Sequence, residues 1–265
     1  MTLLQLVVLA VVQGITEFLP ISSSGHLILV PHFFNWPDQG LAIDVAAHVG
    51  TLAAVLIYFW RDVGHMAAGC LQLFTGRLDA GARLVGFLIL ATIPALIAGF
   101  LADRYGQDML RRVEVVAWTM IGFAIVLYVA DRVGLKIRRI EHMTLGQALF
   151  IGLAQCIAFI PGTSRSGITM VASRFLGYER AEGARFSFLL SIPAIMAAGS
   201  WEGLKLAREG VGENWTAAGI TAALSAVTGI LAIAFMMRWL RTAGFLPFVI
   251  YRLALGAGLL WYIYA

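Results

Sequence analysis

The sequence predicts an all-α polytopic membrane protein: six transmembrane helices plus two re-entrant helical hairpins in an inverted-topology repeat. Three observations lead there. The 265 residues are 60% hydrophobic and 13% charged, with mean hydropathy +0.85, too little polar surface to coat a soluble domain of this length. Six apolar stretches are long enough to cross a bilayer. Two further apolar stretches are interrupted by short polar strings, Pro20-Ile21-Ser22-Ser23-Ser24-Gly25-His26 and Pro161-Gly162-Thr163-Ser164-Arg165-Ser166-Gly167.

In chain order, the first interrupted element is Leu3–Leu19, which halts at Pro20, passes through the serines and resumes briefly as Leu27–Phe34. Spans follow at Leu41–Trp60, Leu84–Ala102 and Glu114–Ala130. The second interrupted element is Thr144–Ile160, which halts at Pro161 and resumes as Ile168–Leu176. Spans at Ala184–Ser200, Thr216–Met236 and Phe245–Tyr264 complete the chain. A half-length helix, a polar break and a second half-length helix fit a hairpin that enters and leaves by one face. Such backbone is tolerated at membrane depth only where protein or water covers it.

The two hairpins resemble each other. Gln13-x-Ile15 precedes Pro20 as Gln155-x-Ile157 precedes Pro161, and both breaks end in Ser-Gly, Ser24-Gly25 and Ser166-Gly167. Three spans separate them, an odd number, so the hairpins enter from opposite faces and could meet near the midplane. The chain reads as a single integral membrane domain, residues 1–265, with repeat halves of roughly 1–130 and 141–265.

Arginine and lysine placement sets the orientation. Twelve fall on the side opposite the N-terminus (Arg61, Arg77, Arg83, Arg132, Lys136, Arg138, Arg139, Arg174, Arg180, Arg185, Arg238, Arg241). Five fall on the N-terminal side (Arg104, Arg111, Arg112, Lys205, Arg208), while Arg165 and Arg252 lie within membrane segments. The bias makes the richer side cytoplasmic and puts both termini outside, so the first hairpin opens to the outer face. The net charge of +4 needs no nucleic acid to explain it. Cys70 and Cys156 are expected as two buried, unpaired thiols. The N-terminus lacks a basic region and a cleavage site, so no removable signal peptide is expected.

Together the polar strings supply hydroxyls, an acid/base, a fixed positive charge and backbone N–H donors, which is equipment for holding and cutting a phosphate. Gln13 and Glu17 lie one turn apart on one helix face. An unpaired carboxylate there is costly, so Glu17 is expected to bind a divalent cation, take a proton or orient His26. Ser22, Ser23 and Ser24 are either turn-capping residues or, with His26 as base, the source of a nucleophile. The expectation is that Ser23 attacks and His26 serves as its base, the competing assignment being His26 as nucleophile. Arg165, between Ser164 and Ser166 and followed by Gly167, reads as an anion clamp or as the ion-pair partner of Glu17, and the two roles are compatible. Ser22, Ser24, Gly25, Thr163, Ser164, Ser166 and Gly167 are the remaining candidate phosphate-binding residues. His32 and His48 are expected as satisfied core residues, with His48 a candidate to line the pocket. Arg138, Arg139, Glu179 and Arg180 are expected as solvated loop charges. There is no nucleotide-binding G-x-x-x-x-G-K-[ST] loop and no H-E-x-x-H zinc site. Ser24-Gly25-His26 and Ser164-Arg165 echo the acid-phosphatase superfamily, but that pattern's second histidine falls at Val171.

Gly14-Ile15-Thr16-Glu17-Phe18-Leu19-Pro20 with Ser22–His26, and Pro161–Gly167, resemble the undecaprenyl-diphosphate phosphatases of the bacitracin-resistance type. Phe186-Ser187-Phe188-Leu189-Leu190 and the stretch from Phe245-Leu246-Pro247-Phe248 to Tyr251-Arg252 are also similar to that family, so the likeness spans nearly the whole chain. The resemblance implies an inner-membrane hydrolase that removes the terminal phosphate of a C55 polyprenyl diphosphate and so recycles the lipid carrier for peptidoglycan. It implies a cleft open to the outer side and dependence on a divalent cation, Mg²⁺ or Ca²⁺. Carried over by position, the functional residues are Gln13, Glu17, Ser23, His26 and Arg165, with Gln13 standing where many members have a second glutamate and Ser24 where threonine is frequent. Gln13 and Glu17 are the candidate metal ligands. The expected partners are undecaprenyl diphosphate and membrane lipid, with a homodimer left open. The rival reading is a polyprenyl-phosphate transporter or flippase, since inverted repeats with broken helices are also a transporter architecture.

Overall fold

The computed structural model describes residues 1–74, 79–105, 112–209 and 215–265. Arg77 and Arg111, both used in the orientation argument, lie outside the described residues. Among the described residues the chain is helical throughout, with one isolated backbone bridge between Arg138 and Tyr178.

The order is α1 (Leu3–Phe18), α2 (Ser23–Phe34), α3 (Leu41–Tyr58), α4 (Trp60–Phe74), α5 (Ala80–Tyr105), α6 (Val113–Val133), α7 (Leu145–Gln155), α8 (Arg165–Phe175), α9 (Arg180–Glu209), α10 (Trp215–Trp239) and α11 (Leu246–Tyr264). A 3-10 turn, Cys156–Phe159, extends α7. Helices α3, α5, α6, α9, α10 and α11 are long and apolar enough to span a membrane. These six match the six stretches read from the sequence, and the chain is a multi-pass membrane protein.

The half-helices α1 and α7 start alike. Thr2 accepts from the Gln5 N–H at 3.3 Å while the Gln5 amide oxygen accepts from the Thr2 N–H at 2.8 Å. Thr144 and Gln147 repeat this reciprocal cap at 3.4 and 3.1 Å, satisfying orphan donors at each helix start. Helix α1 packs on α10, as does α3, and α8 lies between α6, α7 and α9. Phe18 stands edge-on to Phe188 with ring centroids 5.4 Å apart, joining the end of the first half-helix to the middle of α9. A separate apolar cluster of Leu29, Val116, Ala117, Met120 and Leu259 ties α2, α6 and α11 together.

Four expectations need correction. The amphipathic helix α4 was not foreseen: its charged and polar residues break the apolar run, while Val63 and Met66 pack against the core and Asp62 pairs with Arg185. Arg180 is not a solvated loop charge, and Arg174 beside it, counted in the orientation argument, is not solvated either. Arg174 is fully buried and donates to the carbonyls of Leu135 at 2.8 Å, Gly134 at 2.5 Å and Tyr178. Arg180 forks onto Asp131 at 2.6 and 2.9 Å, and the Phe245 N–H donates to the same carboxylate. This cluster fastens the ends of α6, α8, α9 and α11. Neither cysteine is buried as expected: Cys70 of the amphipathic α4 is exposed and Cys156 half-buried, and both are free thiols. His32 is exposed rather than in the core, resting against Phe33 and Tyr262 near the end of α2.

Candidate active site

The two breaks adopt one local geometry. Ser22 caps α2 at φ 73° and Ser164 caps α8 at φ 76°, both in the left-handed region. For a non-glycine residue this conformation costs roughly 1–3 kcal/mol and persists only where surrounding structure holds it. Here the cap hydroxyls hold it: Ser22 Oγ accepts from the Gly25 N–H at 3.3 Å and Ser164 Oγ from the Gly167 N–H at 3.0 Å. Each cap hydroxyl also lies 3.2 Å from the hydroxyl two residues on, Ser24 and Ser166 respectively. Ser23 and Arg165 therefore occupy equivalent positions, each opening its helix.

Those two residues converge on Glu17, from the last turn of α1. Ser23 Oγ donates to Glu17 Oε2 at 2.7 Å, and Arg165 Nη2 donates to Glu17 Oε1 at 2.7 Å. Gln13 Nε2 adds a bond to Oε2 at 3.2 Å. One carboxylate thus receives a hydroxyl from the first break and a guanidinium from the second. Arg165 Nη1 donates to the Ser187 carbonyl of α9 at 3.2 Å, fixing the plane of the fork. Glu17 is almost wholly buried and Arg165 mostly so. A desolvated pair of this kind is sustained by charge-assisted bonds that use up its lone pairs and protons. His48 of α3 stands within electrostatic range of Glu17.

Arg252 of α11 holds the breaks together from behind. It is 1% exposed, and its five N–H groups reach five carbonyls on three segments. Nη1 donates to Pro20 at 3.2 Å and Thr163 at 3.1 Å; Nη2 donates to Gly162 at 2.7 Å and Thr119 at 3.3 Å; Nε donates to Met120 at 3.3 Å. Three of these acceptors, Pro20, Gly162 and Thr163, lie in the breaks, where the helical ladder leaves carbonyls without partners; Thr119 and Met120 lie within α6. Thr119 adds its hydroxyl to the Pro161 carbonyl at 2.7 Å, and Ser166 Oγ donates to the Leu19 carbonyl at 3.2 Å. Gly162 has φ +89° and packs directly on the α6 backbone and Thr119; a side chain would be excluded both by conformation and by space.

His26 is held at both ring nitrogens. Nδ1 lies 2.6 Å from the Ser22 carbonyl and Nε2 lies 2.6 Å from the Tyr251 hydroxyl of α11. A carbonyl only accepts, so Nδ1 carries a proton, and Nε2 of the neutral ring accepts from Tyr251.

The model of the family described as bacitracin resistance protein BacA matches residues 6–258. The chain belongs to the BacA family. It is similar to undecaprenyl-diphosphatase 1 of Rhodospirillum rubrum, 51% identical over 267 residues that cover 98% of this chain and 95% of that protein. It is similar to the undecaprenyl-diphosphatase of Roseobacter denitrificans, 50% identical and covering all of both chains, and to that of Teredinibacter turnerae, 50% identical and covering 97% of each.

In this BacA-family chain the geometry brings Gln13, Glu17, Ser23 and Arg165 into one cluster. It does not bring His26 onto Ser23. Helix α2 begins at Ser23, so both residues lie in its first turn, but Ser23 turns toward α1 while His26 turns to its own cap carbonyl and to α11. The group bonded to the Ser23 hydroxyl is Glu17. The N–H groups of Gly25 and Gly167, expected to face a phosphate, are taken by the serine caps. Ser22, Ser164 and Ser166 are buried, and Ser24 is exposed. Thr163 is 1% exposed and its hydroxyl has no partner among the described residues. Gln155 takes the place of Gln13 in the second element, yet neither amide atom is bonded among the described residues; the residue one turn on is Phe159, where the first element has Glu17. Sequence reasoning missed Arg252, Thr119 and Tyr251. The available signal was an arginine inside an apolar span, which needs a partner by default.

Proposed function

We propose that this chain hydrolyses undecaprenyl diphosphate to undecaprenyl phosphate and inorganic phosphate, recycling the lipid carrier and thereby conferring bacitracin resistance. The observation that carries the reading is the shared carboxylate: Glu17 bonds a hydroxyl nucleophile on one oxygen and an arginine on the other. Simple retention of an anion would be opposed by a carboxylate at this position. Phosphoryl transfer uses one.

In the proposed reaction Ser23 Oγ attacks the terminal phosphorus and its proton passes to Glu17. The bond from phosphorus to the bridging oxygen breaks, and undecaprenyl phosphate leaves with that electron pair. Protonation of Glu17 dissolves its ion pair with Arg165, so the guanidinium charge becomes available to the phosphoryl oxygens as negative charge builds on them. Such stabilisation grows between ground and transition state, which is the part of binding that accelerates chemistry. Water then attacks the phosphoserine and gives a proton to His26 Nε2, which releases Tyr251 to take it; the bond from phosphorus to Ser23 Oγ breaks, that oxygen recovers the proton held by Glu17, and phosphate departs. The competing assignment, His26 as nucleophile, requires its Nε2 to leave Tyr251.

The donor set suits a hard divalent cation. Gln13 Oε1 is buried beside Glu17 without a partner among the described residues, and Mg²⁺ commonly takes one or two carboxylates together with substrate phosphates. Gln13 and Glu17 would hold Mg²⁺ or Ca²⁺, which when bound would neutralise diphosphate charge. The site is proposed to lie in the bacterial inner membrane with both hairpins re-entrant, both termini outside and the cleft open to the outer face. Support comes from the arginine and lysine bias. A homodimer would be compatible with this arrangement.

Purified protein in detergent, given undecaprenyl diphosphate, is expected to release phosphate with no second compartment present. A transporter or flippase of polyprenyl phosphate would release none, and that result would overturn the reading.

A further inference from the structure

One of the two groups holding His26 comes from α11, a helix that packs chiefly on α6 and touches α2 further along at Leu29 and His32. Tyr251 is 225 residues away in sequence, and its hydroxyl reaches Nε2 at 2.6 Å. The two rings stack, with centroids 5.7 Å apart and planes 11° from parallel. This placement follows from the neighbouring residue. Arg252 pins α11 to the carbonyls of both breaks, which sets the height of the helix and delivers Tyr251 to the imidazole. The phenol is 42% exposed, and His26 Nε2 is the partner its hydroxyl meets. With Nδ1–H committed to the Ser22 carbonyl, the lone pair of the neutral ring lies on Nε2, on the side away from the backbone of α2. That is the nitrogen with which His26 can take a proton, and Tyr251 is the group that orients it.

We propose that Tyr251 is a positioning residue for phosphate release, its hydroxyl and stacked ring fixing the plane of the His26 imidazole until Nε2 exchanges Tyr251 for the proton it takes. The proposal rests on the phosphatase reading and deepens it. It assigns Tyr251 no contact with substrate.

The test uses full-length protein in detergent and the variant Tyr251→Phe, which keeps the stacked ring and removes the hydroxyl. One readout needs no turnover: diethyl pyrocarbonate acylates an unprotonated imidazole nitrogen, forming an N–C bond and releasing carbon dioxide and ethanol. Its rate at His26 is followed by mass spectrometry of the peptide carrying that residue. Loss of one hydrogen bond should speed modification roughly three- to tenfold. The kinetic readout should show kcat falling by a similar factor, with KM within about twofold of wild type. Melting temperature should be unchanged, since the bond lies at the surface of α11. Modification of His26 at the wild-type rate would overturn the proposal. So would faster modification with unchanged kcat, or a rise in KM alone, which would make Tyr251 a binding residue. If wild-type protein released no phosphate, the phosphatase reading would fail with the kinetic arm, while the modification rates would still decide whether Tyr251 holds the ring.

Discussion

Replacing Arg252 by lysine should loosen the junction of the two breaks without removing its charge. Arginine offers five N–H donors in a rigid plane, and here all five meet carbonyls, those of Pro20, Thr119, Met120, Gly162 and Thr163. The Thr119 and Met120 carbonyls keep their helical N–H partners inside α6, but those of Pro20, Gly162 and Thr163 belong to the breaks, and the single ammonium of lysine, a point donor, cannot span all three as the guanidinium does. One buried acceptor left unpaired costs about 1–3 kcal/mol. For a chain of this size the melting temperature in detergent should drop by at least about 2 °C. Three of the five carbonyls belong to the breaks that carry Ser23 and Arg165, so turnover measured below the melting transition should fall at least about tenfold, a 1 Å misplacement being enough to cost more. Differential scanning fluorimetry and phosphate release on the same preparation make the comparison. A lysine variant that melts with wild type and turns over normally would refute the reasoning, because it would show that the five bonds neither stabilise the junction nor align the site.

Other outcomes follow from the same geometry. Arg165→Lys should insert and fold but lose roughly 10²–10³ in turnover, because a point charge cannot bridge Glu17, the Ser187 carbonyl and a phosphoryl group as the planar fork does; an active lysine variant in a phosphate-release assay would remove the clamp role. Ser23→Ala should abolish phosphoserine formation and reduce turnover by orders of magnitude while substrate still binds, and wild-type turnover would transfer the nucleophile role to His26 or to water. A cysteine at Thr2, with Cys70 and Cys156 replaced by serine, should react with an impermeant thiol reagent on cells stripped of their outer membrane. Labelling only after the inner membrane is opened would invert the orientation.

The six spans were legible because each is a long, nearly uncharged apolar run, and such runs have few alternatives. The breaks were legible because proline and hydroxyl residues interrupt helices at half length, and the structure places caps at Ser22 and Ser164 as those residues require. Helix α4 was hidden because its apolar residues are spaced among Arg61, Asp62, His65 and Gln72, a pattern that a search for uninterrupted spans passes over. The Glu17–Arg165 contact was stated as one of two compatible roles, since oppositely charged residues in two apolar elements have few other partners. The Ser23–Glu17 bond was not foreseen. Proximity in sequence favoured His26 as the partner of Ser23, and the direction of a side chain in the first turn of a helix depends on where the preceding element packs. Arg252 was set aside as an unassigned charge because its partners are backbone carbonyls, which leave no mark on sequence.

The most direct test of the account is turnover of undecaprenyl diphosphate by Glu17→Gln, measured as phosphate released by purified, folded protein. Glutamine keeps the size and the acceptor oxygen for Ser23, but it cannot take the serine proton and cannot hold Arg165 as an ion-pair partner. The account predicts a loss of at least about 10³ in kcat, with a lower melting temperature because Arg165 is left without its counter-charge. Turnover within a few-fold of wild type would contradict it, since the carboxylate joining the two breaks would then play no part in the chemistry.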